Sequence, residues 1–156
     1  MNDPIQLIKE RHFDPCLEML IQAIAVCPDE LWVKTDHGHS IWQIVYHTLA
    51  GTWVWLRPVG TEFREPGLGE KIAELKEKPR EALSKEQTLA FARETMERSN
   101  AFFAAVDGKV TGPFWCKITN LDIILSQIRH IQHHIGYINK ILSVHGVTVP
   151  WNEYRG

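Results

Sequence analysis

Three histidines are the residues of this chain whose types and spacing could support chemistry. His130 and His134 are four positions apart in the segment SQIRHIQHHIGYINKIL, so their rings project from one face of a helix. His47 lies far upstream, in the middle of the apolar segment SIWQIVYHTLAGTWVWL. If these two helices pack together, three imidazoles can meet at one point. Three neutral imidazoles with an open fourth position commonly bind a catalytic Zn²⁺ or a similar borderline metal.

A purely structural role for these residues stays open at this point. A single histidine in an apolar helix is commonly a hydrogen-bonded core residue, and a chain with eight histidines contains some HxxxH pairs by chance. Two other kinds of metal site are excluded. A zincin needs HExxH, but Ile131 follows His130. A di-iron bundle needs Glu-x-x-His pairs, but Ile44 and Gln127 stand three residues before His47 and His130.

A helical wheel separates the histidines of the last apolar segment. The stripe that follows alternating four- and three-residue spacing is expected to face the core: Ile124, Ile128, Ile131, Ile135, Ile138 and Leu142. His130, His134 and Tyr137 form a neighbouring stripe, whereas His133 falls on the side away from the core. We therefore predict that His133 is a rim or solvent residue.

Four other residues are candidates for lining a pocket beside the histidines. Gly51 and Trp55 share a helix face with His47, and Gly51 leaves space beside the ring. Gln127 lies one turn before His130, and Tyr137 lies one turn beyond His134. Each of these side chains is also compatible with plain packing or with a hydrogen bond to a metal ligand. No general base is identified from the sequence.

The first two long helices are marked by caps and prolines. One is predicted to start at Asp3-Pro4 and to run to about Cys27, with a kink or restart at Asp14-Pro15. The next opens with a capping box at Ser40 and ends near Arg57-Pro58. Both assignments place His47 inside a helix.

Two further long helices follow a long connection. A capping box at Ser84 opens the third, which runs to about Asp107-Gly108; the fourth is expected to be capped by Asn120 and stopped by Gly146. Residues 58–83 connect helices two and three and contain a short polar helical candidate, EKIAELKEK. A connection of this length can cross the end of a bundle and leave those helices parallel. Almost no alternating strand pattern occurs, so the fold class is all-α, a four-helix bundle.

Composition limits the class of protein. The chain has 156 residues, 44% of them hydrophobic and 23% charged, as expected of one globular domain over residues 1–156. A net charge of −2 argues against a nucleic-acid partner. Cys16, Cys27 and Cys116 form no CxxC pair, which favours a reducing compartment. Without a signal peptide or an apolar run long enough to span a bilayer, we expect a soluble cytoplasmic protein with no membrane partner.

These features together resemble the DinB-like (YfiT-like) superfamily of metal-dependent enzymes. The resemblance covers nearly the whole chain: the segment LWVKTDHGHSIWQIVYHTLAG, the long crossing at residues 58–83, and RHIQHHIGYINKIL. It implies an up-down-down-up four-helix bundle with a three-histidine metal site, at positions that match His47, His130 and His134 here. It also implies a homodimer.

The activity that the resemblance implies is chemistry on a low-molecular-weight thiol, as in the bacillithiol and mycothiol transferases of that family. We expect a divalent metal, Zn²⁺ or Ni²⁺, a small-molecule substrate, and a thiol cosubstrate. Two alternatives stay open. One is a metal-dependent hydrolase of a small substrate. The other is a non-catalytic protein that binds a metal or a small ligand.

Overall fold

The structure is a computed structural model in which residues 3–35, 38–58, 61–62, 67–106 and 118–152 are described. Over these residues every regular element is helical, which confirms the all-α prediction. The α-helices are α1 (Pro4–Ile8), α2 (Asp14–Val26), α3 (Asp29–Trp32), α4 (Ile41–Trp55), α5 (Glu70–Ala73), α6 (Lys85–Ala105) and α7 (Asn120–Val144). None of these helices combines the length and the apolar character needed to cross a bilayer.

The first long helix changes its winding just before Pro15, close to the predicted break. Asp3 caps α1, since its carboxylate accepts the backbone amide two residues on at 2.9 Å. A proline inside a regular α-helix collides with the carbonyl four residues earlier. A π-helical turn, Lys9–Phe13, joins α1 to α2 at this point. Across that turn, Lys9 Nζ lies 2.7 Å from the Asp14 carboxylate.

Helix α4 is the most deeply buried long element. It begins where the sequence predicts, and the backbone amide of Ser40 donates to Gln43 Oε1 at 3.3 Å. All of its residues are buried except His47, Gly51 and Trp55. These three are spaced four residues apart, so they lie along one face. That face is the one α4 presents to the candidate site.

Helix α7 begins with a different cap from the one predicted. Asn120 was expected to cap it, but Thr119 does so, and Asn120 is a buried helical residue. The Thr119 hydroxyl accepts the Asp122 amide at 3.0 Å, and the Asp122 carboxylate accepts the Thr119 amide at 2.8 Å. A reciprocal pair satisfies two free amides, which a lone asparagine cap would not do. The predicted stop at Gly146 agrees with its φ of +74°.

Removing the Thr119 cap should weaken the fold and leave the histidines in place. Thr119→Ala deletes the hydroxyl that accepts the Asp122 amide, and loss of an N-cap typically costs about 1 kcal/mol. Urea unfolding should show a loss of that size in the free energy of unfolding. Ser143→Ala is the control, because its hydroxyl bonds only the Lys140 carbonyl at an exposed helix end. Equal losses in the two variants would contradict the cap assignment.

The long helices share one core. Helix α4 contacts both α6 and α7, and α2 contacts the same two helices. The core stripe predicted for α7 is fully buried at Ile124, Ile131 and Ile138, and Ile128 packs against it from a partly buried position. The contact between α4 and α7 brings His47 to the other histidines.

The connection between α4 and α6 folds back onto α4 through the short helix α5. The helix predicted over residues 70–78 is shorter than expected, because Leu75 adopts a φ of +60° that interrupts a right-handed helix. Helix α6 ends at Ala105, just before the end predicted near Asp107-Gly108. Asp107, Gly108 and Cys116 themselves lie outside the described residues. Residues 59–60 and 63–66 of the crossing lie outside them as well.

Candidate metal centre

The structure brings His47, His130 and His134 together. Their ring centroids are 4.7 to 5.0 Å apart, and each pair meets edge to face. One nitrogen from each ring can be chosen so that all three lie within 4.8 Å of one another. Each ring is partly buried. Two helices that are distant in sequence therefore present three imidazoles to one point.

The backbone of α5 fixes the orientation of the His47 ring. Nδ1 of His47 lies 2.5 Å from the carbonyl oxygen of Ala73. A carbonyl only accepts, so Nδ1 carries the proton and donates it. Neutral His47 then has its lone pair on Nε2, the atom that faces His130. A metal-binding histidine is usually supported in this way, because the ring nitrogen that does not bind the metal donates its proton to a carbonyl or a carboxylate.

The distance between the Nε2 atoms of His47 and His130 fits a tetrahedral metal site. Nε2 of His47 and Nε2 of His130 are 3.1 Å apart. Two nitrogens about 2.0 Å from one zinc ion at the tetrahedral angle would be roughly 3.3 Å apart. Nδ1 of His130 is buried and has no hydrogen-bond partner. The donor set and the ring orientations thus suit a borderline divalent metal.

The surroundings keep the rings of His130 and His134 neutral. Burial, with the nearby rings of His47 and His133, lowers the pKa of His130 from 6.5 to about 4. Burial, with the neighbouring rings of His130, His47 and His133, lowers the pKa of His134 to about 3. A metal can bind an imidazole only through a free lone pair. At neutral pH each of these two rings is uncharged and keeps a lone pair on one of its nitrogens.

The lowered pKa values predict that the metal-depleted protein loses stability in acid. The folded state resists protonation of His134, while the unfolded state takes up a proton near pH 6.5. The free energy of unfolding should therefore be constant above that pH and fall as the pH drops toward about 3. Urea unfolding at a series of pH values measures this. The glutamine in His134→Gln cannot take up a proton in this range. The free energy of unfolding of this variant should therefore fall less than that of wild type between neutral pH and pH about 4. Parallel curves for the two proteins would refute the assignment.

A cavity of about 420 Å³ lies beside the histidines. Three of the four predicted pocket residues, Gly51, Trp55 and Gln127, line it together with His47 and His130. Tyr137 is not among the lining residues, and its side chain is 41% exposed. The part of α7 that lines the cavity runs from position 126 to position 130, toward the N-terminus of the helix. Tyr137, one turn beyond His134, therefore lies on the side of the histidine cluster away from the cavity.

The crossing between α4 and α6 contributes a wall of the cavity that the sequence does not predict. Glu70, Ala73 and Glu74 line the cavity, and they come from α5 and the residue that follows it. No local pattern predicts this, because it depends on α5 folding back onto α4. Ser126 was also missed, although its position one turn before His130 could have indicated it. The cavity lining therefore includes two acidic residues, Glu70 and Glu74, as well as two of the three histidines.

The remaining candidates lie away from the three rings. His133 is exposed, as the helical wheel predicts, and its ring packs edge to face on His134 at 5.0 Å. Cys16 and Cys27 are buried free thiols outside the cavity lining. Burial raises the pKa of Cys27 to about 11, so this thiol is unreactive at neutral pH. Among the described residues, neither cysteine joins the histidine group.

Comparison with known proteins supports the family resemblance. Searches of the curated proteins and of the solved structures returned no match to the chain. A family model, that of the DinB superfamily, matches residues 12–138. The match spans most of the chain and includes all three clustered histidines. The chain belongs to the DinB superfamily.

Proposed function

We propose that this protein is a metal-dependent enzyme that transfers a low-molecular-weight thiol to a small electrophile. The observation that carries the proposal is the meeting of His47, His130 and His134, two of which, His47 and His130, line a cavity large enough for a small molecule. Among the described residues no fourth ligand joins the three nitrogens. Three protein ligands are typical of a catalytic site, whereas structural zinc sites have four. Membership in the DinB superfamily supports the same proposal.

The three histidines are the proposed ligands, and Zn²⁺ or Ni²⁺ is the proposed metal. When bound, the metal supplies a Lewis acid that lowers the pKa of a thiol or a water at its open position to near neutrality. His47 is held for this role by its bond to the Ala73 carbonyl. The neutral state of His130 and His134 keeps their lone pairs available at physiological pH.

The cavity wall indicates what kind of electrophile it accommodates. Ala50, Val54 and Trp55 form an apolar side. Apolar surface of this kind favours a hydrophobic electrophile and excludes water from the reacting sulfur. In the proposed reaction a carbon–sulfur bond forms, the leaving group departs with its electron pair, and the thiol proton passes to solvent.

A second candidate is metal-assisted hydrolysis, and the presence of Glu70 and Glu74 among the residues that line the cavity favours it. A carboxylate beside a polarised water can act as a general base. Glu74 also pairs with Lys76 at the surface, at 2.5 Å. The transferase is preferred because the family includes thiol transferases, while these carboxylates are the single feature specific to hydrolysis.

The two candidates are separated by assays on the metal-loaded chain. Conjugation of L-cysteine to monochlorobimane, with release of chloride, should proceed faster with wild type than with His134→Ala. Hydrolysis of p-nitrophenyl acetate without thiol should show no such difference. Thiol-independent hydrolysis that requires His134 would replace the transferase by the hydrolase. Metal binding without either activity would indicate a non-catalytic binding protein.

The proposed function comes with a proposed architecture. We infer that α1 with α2, α4, α6 and α7 form a four-helix bundle of up-down-down-up topology, with the crossing between α4 and α6. The pairwise packing of α4 and α2 against both α6 and α7 supports this arrangement. A cytoplasmic location fits the buried free thiols of Cys16 and Cys27. A homodimer is proposed from the family resemblance.

A further inference from the structure

Two buried polar atoms next to the histidine cluster have no hydrogen-bond partner. One is Nδ1 of His130 and the other is Oε1 of Gln127. Both lie beside Gly51: a Cβ at that residue would be 3.3 Å from the first atom and 3.9 Å from the second. Gln127 precedes His130 by one helical turn, and its side chain is 4% exposed. A buried polar atom without a partner costs free energy, so such a pair calls for an explanation.

Both atoms border the Cβ position of Gly51, but they do not form a hydrogen bond with each other in this structure. Nε2 of His47 carries a lone pair, because Nδ1 of that ring donates to Ala73. The contact of 3.1 Å between the two Nε2 atoms then requires the proton of His130 to be on its Nε2. In this tautomer Nδ1 of His130 is an acceptor. It cannot bond to the carbonyl oxygen of Gln127, which is also an acceptor.

We infer that Gln127 is a positioning residue, whose Oε1 accepts a hydrogen bond from Nδ1 of His130 when Nε2 of that ring binds a metal. The inference rests on the proposed metal site. Coordination needs the lone pair on Nε2, so the neutral ring releases that proton to solvent and carries one on Nδ1 instead. The two unpaired atoms then become a donor and an acceptor. His130 thereby gains the same kind of support that Ala73 gives to His47.

The glycine at position 51 makes this pairing possible. Any side chain there would occupy the space between α4 and the two atoms, since its Cβ would be 2.8 Å from Cε1 of His130. A glutamine in a buried wall also needs a reason to be there, because a leucine or methionine would pack without a buried amide. Support of the metal-bound ring supplies that reason.

The test compares two variants of Gln127 on the full chain. Gln127→Met keeps the length of the side chain and removes the acceptor oxygen, whereas Gln127→Glu keeps an acceptor. Zn²⁺ affinity, measured by competition with a chromophoric chelator, should fall about 10–100-fold in the methionine variant. The glutamate variant should stay at or above the wild-type affinity. Gln132→Met is the control, because Gln132 is on the same helix and bonds Cys16 Sγ instead.

A second measurement reports which ring nitrogen of His130 carries the proton. Nitrogen-15 NMR of the imidazoles should show His130 protonated at Nε2 without metal and at Nδ1 with Zn²⁺. The Nδ1 proton should exchange slowly in wild type and rapidly in Gln127→Met. Equal Zn²⁺ affinity in the methionine and wild-type proteins, or equal losses in both Gln127 variants, overturns the inference. A wild-type chain that binds no Zn²⁺ overturns the metal site itself, and the inference with it.

Discussion

Gly51→Ala should greatly lower the affinity of the protein for metal and leave it folded. The new Cβ would be 2.8 Å from Cε1 of His130, whereas carbon atoms pack at about 3.5–4.0 Å. The ring must move by roughly 0.7 Å, which exceeds the roughly 0.2 Å within which metal–ligand distances are held. We therefore expect Zn²⁺ affinity to fall at least about 10-fold, the lower end of the effect of losing support for a ligand.

Gly51→Ala should reduce the stability of the fold much less than it reduces the affinity for metal. Replacing glycine by alanine inside a helix gains about 0.5–1 kcal/mol, and overpacking costs about 1–3 kcal/mol, so the net loss is modest. Gly136→Ala is a matched control, because Gly136 also lies inside a helix, two residues after His134, and nothing lies within 4 Å of its Cβ position. That variant should be slightly stabilised and should bind Zn²⁺ like wild type. Unchanged affinity in Gly51→Ala would show that His130 is not held as described.

His47→Ala should abolish stoichiometric metal binding. It removes the one proposed ligand that α4 contributes, and two neighbouring imidazoles on α7 cannot hold a zinc ion as three do. Elemental analysis should find about one metal ion per chain in wild type and close to none in the variant. His133→Ala is the control, since His133 is exposed and outside the three-nitrogen group.

Thermal unfolding gives an independent measure of the same change. A ligand at about 100 times its dissociation constant stabilises the folded state by about 2.7 kcal/mol. Added Zn²⁺ should therefore raise the melting temperature of wild type and of His133→Ala, and leave that of His47→Ala unchanged. Loss of the shift in His133→Ala as well would mean that the helical wheel assigned the wrong ring.

Local sequence rules predicted the parts of the site that lie within one helix. Spacing alone placed His130 and His134 on a common face and His133 on another, because an α-helix has a fixed period. Capping boxes located the starts of α4 and α6. The start of α7 is ambiguous by the same rules, because Asn120 is a good cap residue and Thr119 with Asp122 forms a capping box one position earlier.

The rest of the site depends on contacts that local patterns do not contain. The Ala73 carbonyl supports His47, yet any residue type would offer the same carbonyl there. Glu70 and Glu74 line the cavity because the crossing folds back onto α4. Tyr137 shares a stripe with His134 but lies beyond the cluster, since the cavity extends toward the N-terminus of α7. These features follow from packing between elements distant in sequence.

X-ray absorption at the zinc edge of the zinc-loaded chain tests the central claim most directly. Three imidazole nitrogens at about 2.0–2.1 Å, completed by one non-protein oxygen ligand, are the expected result. Sulfur at about 2.3 Å, or fewer than three imidazoles around the metal, would contradict it.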